Sequence, residues 1–263
     1  MLAFVFNDGL MKILFIDWSI YQAIFLRGIL TIPIMLFFAW KAGHLFINLS
    51  SSDWKLILVR SVAEVGAAVF FLSALAHMPL ANVTAILQVL PLAVTLGAAM
   101  FLNENVTWRR WSAIFIGFVG VIIIVRPGLE GFSIYSISAL GAVVCVTIRD
   151  LTTSRLSPKS PSIFVALISG IAMTLLGAFM LPTVQWATVN SSHCSILIIT
   201  AIAIIFGLLV SVMAMRYGDA SFVAPFRYTA MVWAIFIGVL LFDDWPDQLT
   251  LLGTIIIVAS GIY

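Results

Sequence analysis

Residues 74–106 read ALAHMPLANVTAILQVLPLAVTLGAAMFLNENV, and a shift of 140 residues lays them over AMRYGDASFVAPFRYTAMVWAIFIGVLLFDDWP at 214–246. Each block runs from a short polar connection into a long apolar stretch, then Phe-Leu or Leu-Phe, then an acidic turn with Glu104 over Asp244. A glycine-bearing apolar segment follows each block, FIGFVGVIII at 115–124 and GTIIIVASGI at 253–262. Few positions are identical, and chance likeness between greasy helices is the competing explanation. If the repeat is real, the offset covers five helices. Five is odd, so the two halves have opposite orientations. Inverted repeats around a midplane site are an architecture of many secondary transporters.

The composition agrees with helices in a bilayer. Of 263 residues, 63% are hydrophobic and 9% charged, with a mean hydropathy of +1.18. Soluble domains carry about 25% charged residues. The net charge of +2 is small and its basic residues are scattered, which argues against a nucleic-acid partner. Cys145 and Cys194 lie far apart without a CxxC pattern, so no disulfide framework or zinc site is expected. The N-terminus lacks the basic start and small-residue cleavage site of a signal peptide.

A span needs about 20 mostly apolar residues. The segments 19–40, 55–76, 80–102, 108–126, 134–153, 162–183, 195–215, 220–242 and 247–263 qualify, and the stretch before them is apolar but short. The expected fold is an all-α integral membrane protein of about ten transmembrane helices in two inverted five-helix repeats, 1–127 and 128–263. Helix 1 is expected to be short or truncated. Lys41, Lys55, Arg109, Arg110, Arg155, Lys159 and Arg216 gather on one side, against Arg126 and Lys12 on or near the other. The richer side is expected to be cytoplasmic. Trp18, Trp54, Trp108, Trp111, Trp186 and Trp245 near span ends fit interfacial anchoring.

FLNENVTWRRWSAIFIGFVGVIIIVRPG at 101–128 and APFRYTAMVWAIFIGVLLFDDWPDQLTLLGTIIIVASGIY at 224–263 resemble the EamA-type repeat of the drug/metabolite transporter superfamily. NDGLMKIL at 7–14 and YQAIFLRGI at 21–29 are similar to its first two helices. The resemblance implies a central cavity, alternating access and a small-molecule metabolite as cargo, with no cofactor. Within the superfamily, VAPFRYT at 223–229 with DDWPDQLTLLG at 243–253 resembles carriers of S-adenosylmethionine or riboflavin, with amino-acid or drug export as the alternative. Against the family pattern, the chain begins about half-way through helix 1 and ends at Tyr263 without the usual polar tail. The location implied is a bacterial inner membrane, with proton coupling or exchange, and monomer or homodimer, left open.

Charges at the centre of a span cost roughly 2.5–3.5 kcal/mol on insertion scales, so each one asks for a partner or a cavity. Glu64 lies about ten residues into its helix, and Arg60 sits one turn earlier on the same face. Either the two form a self-neutralising pair, or they line a cavity and contact substrate. Gln88 and Tyr228 coincide under the 140-residue shift, with Arg227 beside the latter. They are expected to line a shared cavity; interhelical hydrogen bonding, or snorkelling for Arg227, is the alternative. The candidate substrate-binding set is therefore Arg60, Glu64, Gln88, Arg227 and Tyr228, with aromatic Phe70, Phe71, Phe226 and Trp233 nearby. Asp8, Lys12 and Arg27 are candidates for one buried cluster, while Arg149 and Asp150 near the cytoplasmic end of their helix read as snorkelling. Pro33, Pro91 and Pro225 each remove a helix hydrogen bond.

Several activities lack their residues. No Walker loop, GxSxG or HExxH appears, and His44, His77 and His193 stand alone near span ends. Neither an ATP-driven pump nor an enzyme is expected, and no metal site.

Overall fold

The computed structural model describes residues 1–45, 47, 49–101, 107–127, 133–157, 159–217 and 227–262, except the side chains of 208, 209 and 211–217. Glu104, Pro225 and Phe226 lie outside the described residues, as does the side chain of Arg216. Eleven α-helices and no strand are present among the described residues. They are α1 (Leu2–Asp17), α2 (Ile20–Lys41), α3 (Ser51–His77), α4 (Leu80–Leu87), α5 (Leu90–Phe101), α6 (Trp108–Val125), α7 (Ile134–Ser154), α8 (Ser162–Met180), α9 (Ser191–Tyr217), α10 (Thr229–Phe242) and α11 (Gln248–Ile262). Among the described residues, six segments are long and apolar enough to cross a membrane, with α4 and α5 acting as one span, Leu80–Phe101. At 16 residues, α1 reaches about 24 Å at 1.5 Å per residue, short of the ~30 Å hydrocarbon core.

Local signals place the boundaries. The hydroxyl of Ser19 accepts from Gln22 N at 3.2 Å and starts α2 two residues after α1 ends. Ser50 caps α3 in the same way, accepting from Asp53 N at 3.1 Å. Pro33 is carried inside α2 without ending it. Pro91 acts differently. Its ring clashes with the carbonyl four residues back, that of Leu87, and α4 ends there. The chain makes a turn through Gln88 and Val89 before α5 begins. This interruption leaves Gln88 at the end of a helix whose residues are almost all buried, and Gln88 itself is only 3% exposed.

The packing obeys the inverted repeat. A shift of five helices carries α1 to α7, α2 to α8, α3 to α9, the α4–α5 span to α10 and α6 to α11. Helix α3 packs on α7, and its image α9 packs on α1. The contact of α1 with α10 is mirrored by that of α7 with α4 and α5, and the contact of α3 with α8 by that of α9 with α2. The pairs α2·α8, α6·α11 and α4·α10 map onto themselves. The outer faces are apolar: Phe115 is 73% exposed and Phe179 78%, as lipid-facing side chains should be.

The α6·α11 contact is closed by two glycines. A methyl group on Gly253 would lie 2.7 Å from Gly120 O, and one on Gly120 would lie 2.8 Å from Gly253 O. Backbone cannot turn aside as a side chain can. Gly253→Ala is expected to destabilise the protein by about 1–3 kcal/mol. Gly170→Ala in α8, where a new methyl meets nothing within 4 Å, should be neutral or stabilising. Thermal unfolding of the two purified variants in detergent reads the difference. Equal midpoints would show that the helices part without cost.

Candidate substrate site

Three helices bring a charged network together. Arg60 and Glu64 leave α3 on one face, with Arg60 Nη2 3.4 Å from Glu64 Oε2. Arg149 on α7 donates from Nη1 to Glu64 Oε1 at 3.1 Å. Its Nε and Nη2 donate to Asp150 Oδ1 at 3.0 and 2.9 Å. Asp150 Oδ2 then accepts from Arg227 Nη1 at 3.3 Å, where the chain enters α10. Arg60 also donates from Nε to Thr153 Oγ1 at 3.0 Å and from Nη1 to Ser169 Oγ on α8. The chain of contacts runs α8–α3–α7–α10 and crosses between the repeats.

These groups are neither sealed in the core nor fully open. Side-chain exposure is 29% for Glu64, 25% for Arg149 and 25% for Arg227, which leaves each within reach of a solute. Arg149 and Asp150, read from their closeness to the helix end as snorkelling groups, have partners within the bundle: the α3·α7 contact holds Arg149 against Glu64, and Asp150 pairs with Arg149 and Arg227.

Gln88 and Tyr228 meet at the repeat axis, though not through both side chains. Gln88 Nε2 donates to the backbone carbonyl of Tyr228 at 3.5 Å. The Tyr228 ring is buried in the core among α4, α6 and α11 residues. Its hydroxyl fills the space above Gly261, where a methyl group would lie 1.6 Å away. Tyr228 thus offers the site its main chain, while its phenol belongs to the packing. Of the aromatic candidates, Phe71 and Trp233 pack on core clusters and Phe70 is exposed.

Lys12 and Asp8 part company. Asn7 Nδ2 donates to Asp8 Oδ1 at 3.0 Å and Asn7 Oδ1 accepts from Arg27 at 3.3 Å, so Asp8 and Arg27 share one cluster. Lys12 instead reaches Asp244 Oδ2 at 3.2 Å and the carbonyl of Met78 at 2.9 Å, with its ammonium 4.7 Å from the Phe242 ring centre. Helix α10 is therefore tied at one end to α7 through Arg227 and at the other to α1 through Asp244. Helices α1 and α7 are images of each other under the repeat. This double tie had no signal in the sequence.

Further contacts stitch the connections. His193 Nε2 lies 3.0 Å from Asp17 Oδ2 and its ring packs on Trp18. His77 stacks on Tyr135 with ring centres 3.9 Å apart. Arg126, left-handed at the end of α6 with φ 51, pairs with Asp247 before α11. Burial pushes the Asp247 carboxyl up, but the Thr250 hydroxyl and the Arg126 guanidinium outweigh it and hold the group below the usual carboxylate range. An apolar groove lined by Val65, Leu175, Leu176 and Phe179 lies between α3 and α8, and the side chains lining it are apolar. No cluster of three or more metal-ligating side chains occurs among the described residues.

The model of the EamA-like transporter family matches residues 1–126 and again 133–263. This chain belongs to that family. An S-adenosylmethionine uptake transporter of Rickettsia conorii is 25% identical over 70% of this chain, and the match spans 63% of that relative's length. A riboflavin transporter of Vibrio cholerae is 30% identical over 79% of the chain and 69% of its own length. A pseudopaline exporter of Pseudomonas aeruginosa is 25% identical over 92% and 84%. A crystal structure 16% identical in sequence superposes with a TM-score of 0.66, covering 99% of this chain and 93% of that one, which places the EamA-like architecture on a known fold.

Proposed function

We propose that this chain is a secondary transporter that carries a small organic metabolite across a bacterial inner membrane by alternating access. Its two repeats, 1–127 and 128–263, move against each other about the charged network of α3, α7 and α10. The substrate contacts Arg60, Glu64, Gln88, Arg149 and Arg227 there, with the Tyr228 main chain beside them. No catalytic step is assigned to any of these groups. S-adenosylmethionine and riboflavin, named for two relatives, are the first candidates for cargo.

The observation that carries the reading is the double tie on α10. A helix held at one end by Arg227–Asp150 and at the other by Lys12–Asp244 has one closure for each side of the membrane. Opening to either side breaks one tie while the other stays made. Substrate bound between them supplies the contacts that let the equilibrium cross. The driving force is exchange or proton coupling, in a monomer or homodimer.

Reconstitution into liposomes tests this. Radiolabelled S-adenosylmethionine or riboflavin should accumulate against protein-free controls, and preloading with the same unlabelled compound should accelerate entry. Binding without any flux, across a broad panel of metabolites, would make the protein a receptor and sink the transporter reading.

A further inference from the structure

We infer that the substrate presents a carboxylate to this site, and that Arg227 is the residue that reads it. The inference rests on the transporter reading and narrows it to acidic or zwitterionic metabolites, amino-acid-like rather than uncharged heterocycles.

Charge points the same way as geometry. Among the described residues of the network, three guanidiniums (Arg60, Arg149, Arg227) face two carboxylates (Glu64, Asp150), leaving one positive charge in excess. An excess charge inside the spans is costly and draws an anion. The three arginines differ in what they have left to give. Arg149 spends Nε, Nη1 and Nη2 on Asp150 and Glu64. Arg60 spends Nε and Nη1 on Thr153 and Ser169 and turns Nη2 to Glu64. Arg227 makes a single ion pair, through Nη1 at 3.3 Å, among the described residues. A guanidinium has five N–H donors in a planar fork that matches a carboxylate edge to edge, so most of its capacity remains.

Position completes the argument. Arg227 precedes Tyr228, whose carbonyl receives Gln88 at the repeat axis, and a quarter of its side chain is exposed. A carboxylate arriving there meets Arg227 and competes with Asp150 for it. Loosening that pair is the same event that frees one end of α10. Acid binding and opening are thereby one step, whereas an uncharged ligand at the same place leaves the pair intact.

The test uses the full chain purified in detergent and a panel of metabolite acids, each paired with its methyl ester or amide. S-adenosylmethionine is set against its decarboxylated form, and riboflavin serves as a carboxylate-free probe. The shift in unfolding temperature with concentration reads affinity. Acids should shift the midpoint and their neutral partners should not. Arg227→Gln should weaken the acid at least tenfold, and Arg227→Lys, which keeps charge without the fork, by less. Circular dichroism establishes that both variants are folded. Asp219→Asn removes the acid nearest in sequence before Arg227, and the acid's affinity should stay within about twofold; a tenfold gain would mean the excess charge is already neutralised, which overturns the inference. Equal binding of acids and esters, riboflavin as the sole hit, no acid hit at all, or unchanged binding in Arg227→Gln would each overturn it too. Riboflavin flux that ignores Arg227 leaves transport standing and removes the carboxylate. Acid binding that depends on Arg227 without flux does the reverse.

Discussion

Arg149→Ala is expected to cost about 2–3 kcal/mol of stability, below the ~3–5 kcal/mol scale for removing one partner from a fully buried charge pair, because the cluster is only half-buried. Arg149 is the only residue of the described network that touches both acids, Glu64 at 3.1 Å and Asp150 at 2.9 Å. Without it, Glu64 retains only Arg60 and Asp150 only Arg227 among the described residues, and the α3·α7 contact loses its ion pair, keeping the hydrogen bonds from Arg60 to Thr153 and from Ser138 to the Phe70 carbonyl. The loss should exceed that from Arg126→Ala, whose partner Asp247 is 45% exposed and screened by water. Thermal or denaturant unfolding in detergent measures both. The cause is separable from lost packing: Glu64→Ala made in the Arg149→Ala background should cost much less than Glu64→Ala alone, because the carboxylate no longer has that arginine to lose. Additive losses in the cycle would mean the pair is held apart by intervening water and carries little energy.

Much of this protein is written in its apolar runs. Span positions follow from length and hydropathy, and helix starts fall within a few residues of the expected segments where Ser19 and Ser50 mark them, whereas Pro91 ends α4 in the middle of the expected span 80–102. Depth was legible as well: Gln88 and Tyr228 share a level because the repeat puts them there, and they do meet. Azimuth was not. Helix α10 is apolar around its whole circumference, TAMVWAIFIGVLLF, so no face of it announces itself as inward. A tyrosine beside its start was equally able to point at a cavity or into the core. The pairings of Arg149 with Glu64 and of Lys12 with Asp244 were hidden for another reason. They join residues 85 and 232 positions apart, and local spacing carries no information on which distant helix faces which. The partners of Arg149 were missed because closeness to a helix end explains a charge as readily as a partner does.

Charge reversal at Lys12 is expected to abolish net transport, and a second reversal at Asp244 to restore part of it. Lys12→Glu replaces an attraction at 3.2 Å by repulsion and also removes the donor to the Met78 carbonyl and the cation above Phe242. Hydrogen bonds to charged groups contribute about 1.5–3 kcal/mol, so the loss shifts the equilibrium between the two closures by roughly ten- to a hundredfold. The end of α10 at Asp244 then stays open, while Arg227–Asp150 holds the other. Net flux needs both states, but binding needs only one. The variant should therefore still bind ligand from the Lys12 side and fail to carry it across. Lys12→Glu with Asp244→Lys restores the pair in reverse and should recover flux, although the Met78 contact stays lost and recovery is incomplete. Liposome uptake reads the flux, and alkylation of a cysteine introduced near Gln88, with Cys145 and Cys194 replaced by serine, reads which side is open. If Lys12→Glu transports normally, or if its labelling stays balanced between the two sides, the pair is surface decoration and α10 moves by some other constraint. Loss of flux that the second reversal leaves untouched would instead locate the importance of Lys12 in its hold on the Met78 carbonyl, and the closure on that side would then be built from main chain rather than from charge.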